Sequence, residues 1–108
     1  MITKEQILVF KRSADTLYNS KDYTSATILY FKTWFAIQDF ILLDKLGQTP
    51  KDYAERFRFL QKAYPAIYIE LDKEFTTYRD TYSKITGKED CERIKRVVEN
   101  EINDYITG

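Results

Sequence analysis

At 108 residues, the chain is the size of one domain that can bury roughly two-thirds of its unfolded surface, so a single domain over residues 1–108 is expected. Seventeen basic residues balance seventeen acidic ones, so no net field draws the molecule to nucleic acid or an anionic membrane, and any such binding must be local. With no histidine, it has no Ser-His-Asp or Cys-His nucleophile, no zinc site of mixed ligands and no Glu-x-x-His di-iron pair, and no metal or cofactor is expected.

In chain order, Thr3 and Gln6 form a capping box, and Ile7, Phe10, Ala14, Leu17 and Tyr18 share one helical face, which predicts a first helix from about Lys4 to Tyr18. Asn19-Ser20-Lys21 reads as a turn. Asp22 then caps a second helix that runs to Leu46, about 37 Å, with Gly47 as its left-handed stop. Ala26, Leu29, Tyr30, Ile37, Phe40 and Ile41 lie on one side of this helix, and Phe31, Phe35 and Leu42 extend round another. A helix apolar nearly all round has to be covered nearly all round. Other helices of the same chain could provide that cover. The expectation here is a dimer interface through Phe31, Trp34, Phe35 and Leu42, because aromatic side chains are enriched at interfaces. The charges at Lys32, Gln38's neighbour Asp39, Asp44 and Lys45 argue against this stretch as a membrane span.

Thr49-Pro50-Lys51-Asp52 reads as a cap, a proline at the first helical position and an acid in the first turn, opening a third helix through Tyr53, Phe57, Leu60 and Tyr64. Pro65 breaks or kinks it. A fourth helix carries Ile67, Leu71, Phe75, Tyr78, Tyr82 and Ile85 on one face and stops at Gly87. Thr86 with Glu89 offers a capping box for a fifth, whose stripe is Cys91, Ile94, Val98, Ile102 and Tyr105. With no alternating segment and short loops, the expected fold is all-α: an up-and-down bundle of five helices, mostly antiparallel to their neighbours. The start of the chain lacks the apolar run of a signal peptide, and the lone Cys91 reads as inert core, so a reducing cytoplasm is the expected setting.

Four pieces resemble the HEPN domain family in their order and spacing: Tyr23 to Phe31 opening the long helix, the Leu46-Gly47 stop, Thr49 to Tyr53 after it, and Tyr78-Arg79-Asp80-Thr81-Tyr82 on the fourth helix. They span a little over half of the chain. The resemblance implies a homodimeric bundle, often paired with a small nucleotidyltransferase in toxin-antitoxin-like systems. Many such domains are ribonucleases whose motif is an arginine, four to six residues, then a histidine. Arg79 matches the arginine, but Lys84 stands after four intervening residues, and Tyr53 occupies a place where relatives carry histidine.

The candidate binding residues are therefore Arg79, Tyr82 and Lys84. Arg79 could clamp a phosphate while Tyr82 stacks a base, or it could lie across apolar surface and pair with Asp72 or Asp80. An ordinary lysine at position 84 cannot serve as a general base at neutral pH, and Asp80 four residues earlier would hold it charged in a surface pair. Arg56, Arg58 and Lys62 make the third helix the most basic, as a solvated face, and Glu70 and Glu74 read as solvent-facing. The leading expectation is a non-enzymatic HEPN-like homodimer that binds a nucleotidyltransferase, or a nucleotide or RNA through a cleft with Arg79 and Tyr82. The alternatives are a divergent metal-independent ribonuclease using Arg79 and Lys84, and a purely structural interaction bundle.

Overall fold

The computed structural model describes all residues from Met1 to Gly108. They form five helices, α1 (Lys4–Asn19), α2 (Tyr23–Leu46), α3 (Tyr53–Ala63), α4 (Pro65–Asp80) and α5 (Lys88–Glu101), with α5 passing into a π-helical turn at Ile102–Thr107. The fold is an all-α helical bundle with extents of 38 × 26 × 20 Å.

Local chemistry sets most of the boundaries. The Thr3 hydroxyl accepts from Gln6 N at 3.1 Å, and Thr3 N donates back to the Gln6 side chain at 2.8 Å, so the first capping box is complete. Asp22 caps α2 by accepting from Ser25 N, and Gly47 ends it at φ +74°, where a side chain would be strained. α3 begins later than Thr49 and Pro50 suggest. Its cap is Asp52, which accepts from Glu55 N at 2.8 Å while the Glu55 carboxylate receives Lys51 N. An acid with a glutamate three residues on competes better for these amides than a threonine followed by proline. Pro65 does not kink a helix: it opens α4 at the position where its missing N–H costs nothing, after Tyr64 alone.

α4 ends at Asp80, short of the expected Ile85. The Thr81 hydroxyl donates to Tyr78 O, and the amides of Ser83 and Lys84 both turn back to Asp80 O, so the segment tightens into turns. Tyr82 and Ile85 leave the apolar face and stand 72% and 93% exposed. The Thr86 amide anchors this segment to the start of α2 through Thr24 Oγ1, 2.8 Å away. Gly87, not Thr86, is the cap residue of α5, and the second expected capping box does not form. The π-helical turn moves the end of the last apolar stripe by one residue: Ile106 is buried, whereas Tyr105 is partly exposed.

α2 is the axis of the bundle. All five of the other elements pack against it, and Tyr30, Phe31, Trp34, Ile37 and Leu42 have no exposed surface. The expected dimer interface is thereby corrected: Phe31, Trp34 and Leu42 are fully buried and Phe35 half-buried within one chain, under α3, α4 and α5. They belong to the monomer's own core. By length and composition α2 could also cross a membrane, but 67% of its most apolar window is buried among the other helices, as in a core helix. Tyr18 against Tyr23 and Lys4 over Phe40 show α1 antiparallel to α2. Tyr53 beside Phe75 and Phe57 beside Tyr68 set α4 antiparallel to α3, and Arg93 joins α5 to α4 through Glu74. α3 instead advances along the second half of α2 in the same sense, from Tyr53 beside Phe35 to Tyr64 beside Phe40 and Ile41.

Candidate functional site

The end of α4 carries the candidate residues. Tyr78 is buried on its inner face, and its hydroxyl bonds to Tyr53 from α3 at 3.1 Å and to Tyr82 beyond the helix at 2.9 Å. The three phenols thus form one chain whose two ends are open to solvent, Tyr53 being 43% exposed. Beneath them the rings of Phe31, Phe35 and Phe75 lie within 5.1 to 5.7 Å of Tyr78, in tilted and edge-on contacts that fix its plane. Tyr82 stands edge-on to Tyr78 at 5.6 Å. Burial, then the bonds to Tyr53 and Tyr82, push the Tyr78 phenol far above its ordinary range, so it remains protonated.

Arg79 is exposed on the outer side of the same turn, and its guanidinium makes neither an ion pair nor a side-chain hydrogen bond. The pairing with Asp72 or Asp80 is absent. Lys84 lies in the turn that follows, exposed, with Nζ 3.7 Å from Asp80 Oδ2, which is the surface pair its spacing suggests. Arg79 and Tyr82 are therefore neighbours at one edge, while Lys84 is turned to Asp80. None of the three lines a hollow of the single chain, so the expected cleft is an open face. A polar hollow of about 330 Å³ adjoins that face at Tyr53 and Phe35, with Pro50, Lys51, Asp52 and Arg56 completing its lining. Lys51 is the cation there without a carboxylate partner.

Arg56 is not part of a solvated basic face. It is only 9% exposed, and its guanidinium reaches Asp39 at 2.9 Å, the Gln38 side chain at 3.0 Å and the Phe35 carbonyl, over the Phe35 ring. Glu74, expected in solvent, is 2% exposed and takes a three-bond clasp from Arg93 Nε and Nη2. Glu101 is buried too, holding Trp34 Nε1 at 2.9 Å through one oxygen while the other has no partner. Burial first, with the nearby Glu70 and Asp104 charges adding to it, pushes the Glu101 carboxyl up to about 8 against the pull of Trp34. A signal for all three was present in the sequence. Arg56 sits four residues before Leu60, Glu74 three after Leu71, and Glu101 three after Val98, each on its helix's apolar stripe. Cys91 is buried, and burial pushes its thiol up, so it is unreactive core.

No protein-family model matches this chain, and no curated protein or solved structure does either.

Proposed function

We propose that this protein is a non-enzymatic, HEPN-like binding bundle that holds single-stranded RNA or a nucleotide on the open face formed by Tyr53, Tyr82 and Arg79 over the buried Tyr78. The observation that carries this reading is an exposed, unpartnered arginine three residues before an exposed ring, Tyr82, that rests on the buried Tyr78. An arginine free of carboxylates offers a bidentate fork to a phosphate. The Tyr82 ring is largely open to solvent, and stacking of a base on an exposed aromatic ring contributes about 1 to 3 kcal/mol. From there the Tyr53 end of the phenol chain leads to Lys51, a second cation along the path of a strand. The neutral overall charge is compatible with this, since the binding rests on a local surface.

The non-enzymatic part of the reading rests on the protonated Tyr78, on Lys84 engaged by Asp80, and on the absence of histidine. The HEPN resemblance adds self-association and a nucleotidyltransferase partner to the proposal. Either would have to use a surface other than Phe31, Trp34, Phe35 and Leu42; Tyr82 and Ile85 supply exposed apolar area for it. The test is fluorescence anisotropy with a labelled single-stranded RNA of about ten nucleotides, long enough to cross one binding face. Saturable, salt-sensitive binding that weakens about tenfold in Arg79→Ala and in Tyr82→Ala is expected, with the RNA recovered intact. Binding unaffected by both substitutions would refute the assignment of the face, and cleavage lost in Arg79→Ala would replace it with a ribonuclease.

A further inference from the structure

The largest hollow of the molecule lies away from the tyrosine face and is lined by none of its residues. Its volume is about 520 Å³, within the roughly 300 to 1,000 Å³ range of small-molecule sites. It forms where four separate stretches meet: the residues before α1, the last turns of α2, the α3–α4 junction and the terminal π-helical turn. The walls include three aromatic rings, Phe40, Tyr64 and Tyr105, with the aliphatic side chains of Ile41 and Leu43 between them. Tyr64 and Tyr105 brace each other edge-on at 5.8 Å, so the aromatic wall is fixed.

Asp44 carries the one charged side chain in this lining, which also includes Met1 and Ile2. It is exposed at the mouth and has no ion pair within the chain, although seventeen lysines and arginines are available. A carboxylate outside any ion pair, beside three aromatic rings, is chemistry that recognises an organic ammonium: the ring faces attract positive charge and the acid completes the pair. The Phe40 ring already shows this preference, since Lys4 Nζ lies 5.9 Å from its centroid. A carboxylate ligand would meet Asp44 with like charge, and a purely apolar one would leave the acid unused.

We propose that this hollow is a binding site for a small organic amine with an apolar or aromatic body, its ammonium group on Asp44 and its body against Phe40, Tyr64 and Tyr105. The site is independent of the RNA-binding reading and stands or falls separately from it. The test uses amide-resolved NMR titration of the whole protein with 2-phenylethylamine, its neutral analogue 2-phenylethanol, and phenylacetate. The amine is expected to give saturable shifts centred on residues 40–44, Tyr64 and Tyr105, to bind at least about fivefold more tightly than the alcohol, and to exceed phenylacetate further. Asp44→Asn, which removes no internal contact, is expected to keep the fold and to bring amine and alcohol to equal affinity. Absence of saturable shifts at these residues would overturn the site, and an amine preference that survives in Asp44→Asn would overturn the role of the acid.

Discussion

Glu101 gives the fold a pH dependence that can be measured against a single substitution. Its carboxyl titrates at about 8 in the folded chain and near 4.5 when solvated. Folding therefore binds its proton more tightly, and the corresponding stability is full below about pH 4.5 and lost as pH rises through about 8. Three and a half pH units at about 1.4 kcal/mol each amount to about 5 kcal/mol in all, of which about 3 kcal/mol falls between roughly pH 5.5 and roughly pH 9. Other carboxylates titrate in part of this range, so the decisive quantity is the difference between the wild type and Glu101→Gln. Glutamine keeps an acceptor for Trp34 Nε1 and cannot ionise. Urea unfolding should find the variant ahead by about 1.5 kcal/mol at about pH 5.5 and by about 5 kcal/mol at about pH 9, so that the gap widens by about 3 kcal/mol. Parallel pH profiles for the two proteins would refute the assignment of a buried, protonated Glu101.

Removing Arg56 as Arg56→Ala strands Asp39 and the Gln38 carbonyl oxygen beside the core; because Asp39 is one-third exposed, a loss of about 2 to 3 kcal/mol is expected in the same unfolding assay. Arg93→Ala leaves the Glu74 carboxylate buried without its clasp and should cost about 3 kcal/mol, whereas Arg93→Ala combined with Glu74→Gln should recover more than half of that. Arg79→Ala, by contrast, removes a side chain with no partner, and stability should remain within about 0.5 kcal/mol of wild type.

Helix existence was readable because the periodicity is strong and the breaks are chemically specific: the Thr3–Gln6 box, the Asp22 cap and the Gly47 stop all stand where the residues place them. Boundaries failed where two local signals competed. At Thr49-Pro50 and Asp52 the acid prevailed, and after Asp80 the Thr81 hydroxyl and the Asp80 carbonyl turned the chain although Tyr82 and Ile85 continued the helical period. The second apolar side of α2 could be resolved only in three dimensions, since a sequence shows that a face must be covered and not by which chain. At the candidate site, Arg79 and Tyr82 are three residues apart in sequence, and the turn after Asp80 keeps them neighbours through Tyr82 N donating to Arg79 O. The phenol chain through Tyr53 does not follow from spacing, because it joins residues 25 apart in the sequence. Arg56 and Glu74, expected at the surface, are buried because they lie on the apolar stripes of their helices, where position outweighs residue type.

The central claim is that Arg79 and Tyr82 hold RNA without cutting it, and one experiment addresses both halves. Labelled single-stranded RNA is incubated with wild type, Arg79→Ala and Tyr82→Ala, and binding and strand length are read from the same samples. The proposed function predicts full-length RNA in every sample and binding in the wild type that falls about tenfold in each variant. Shortened RNA with the wild type and full-length RNA with Arg79→Ala would contradict it, as would binding equal in all three proteins.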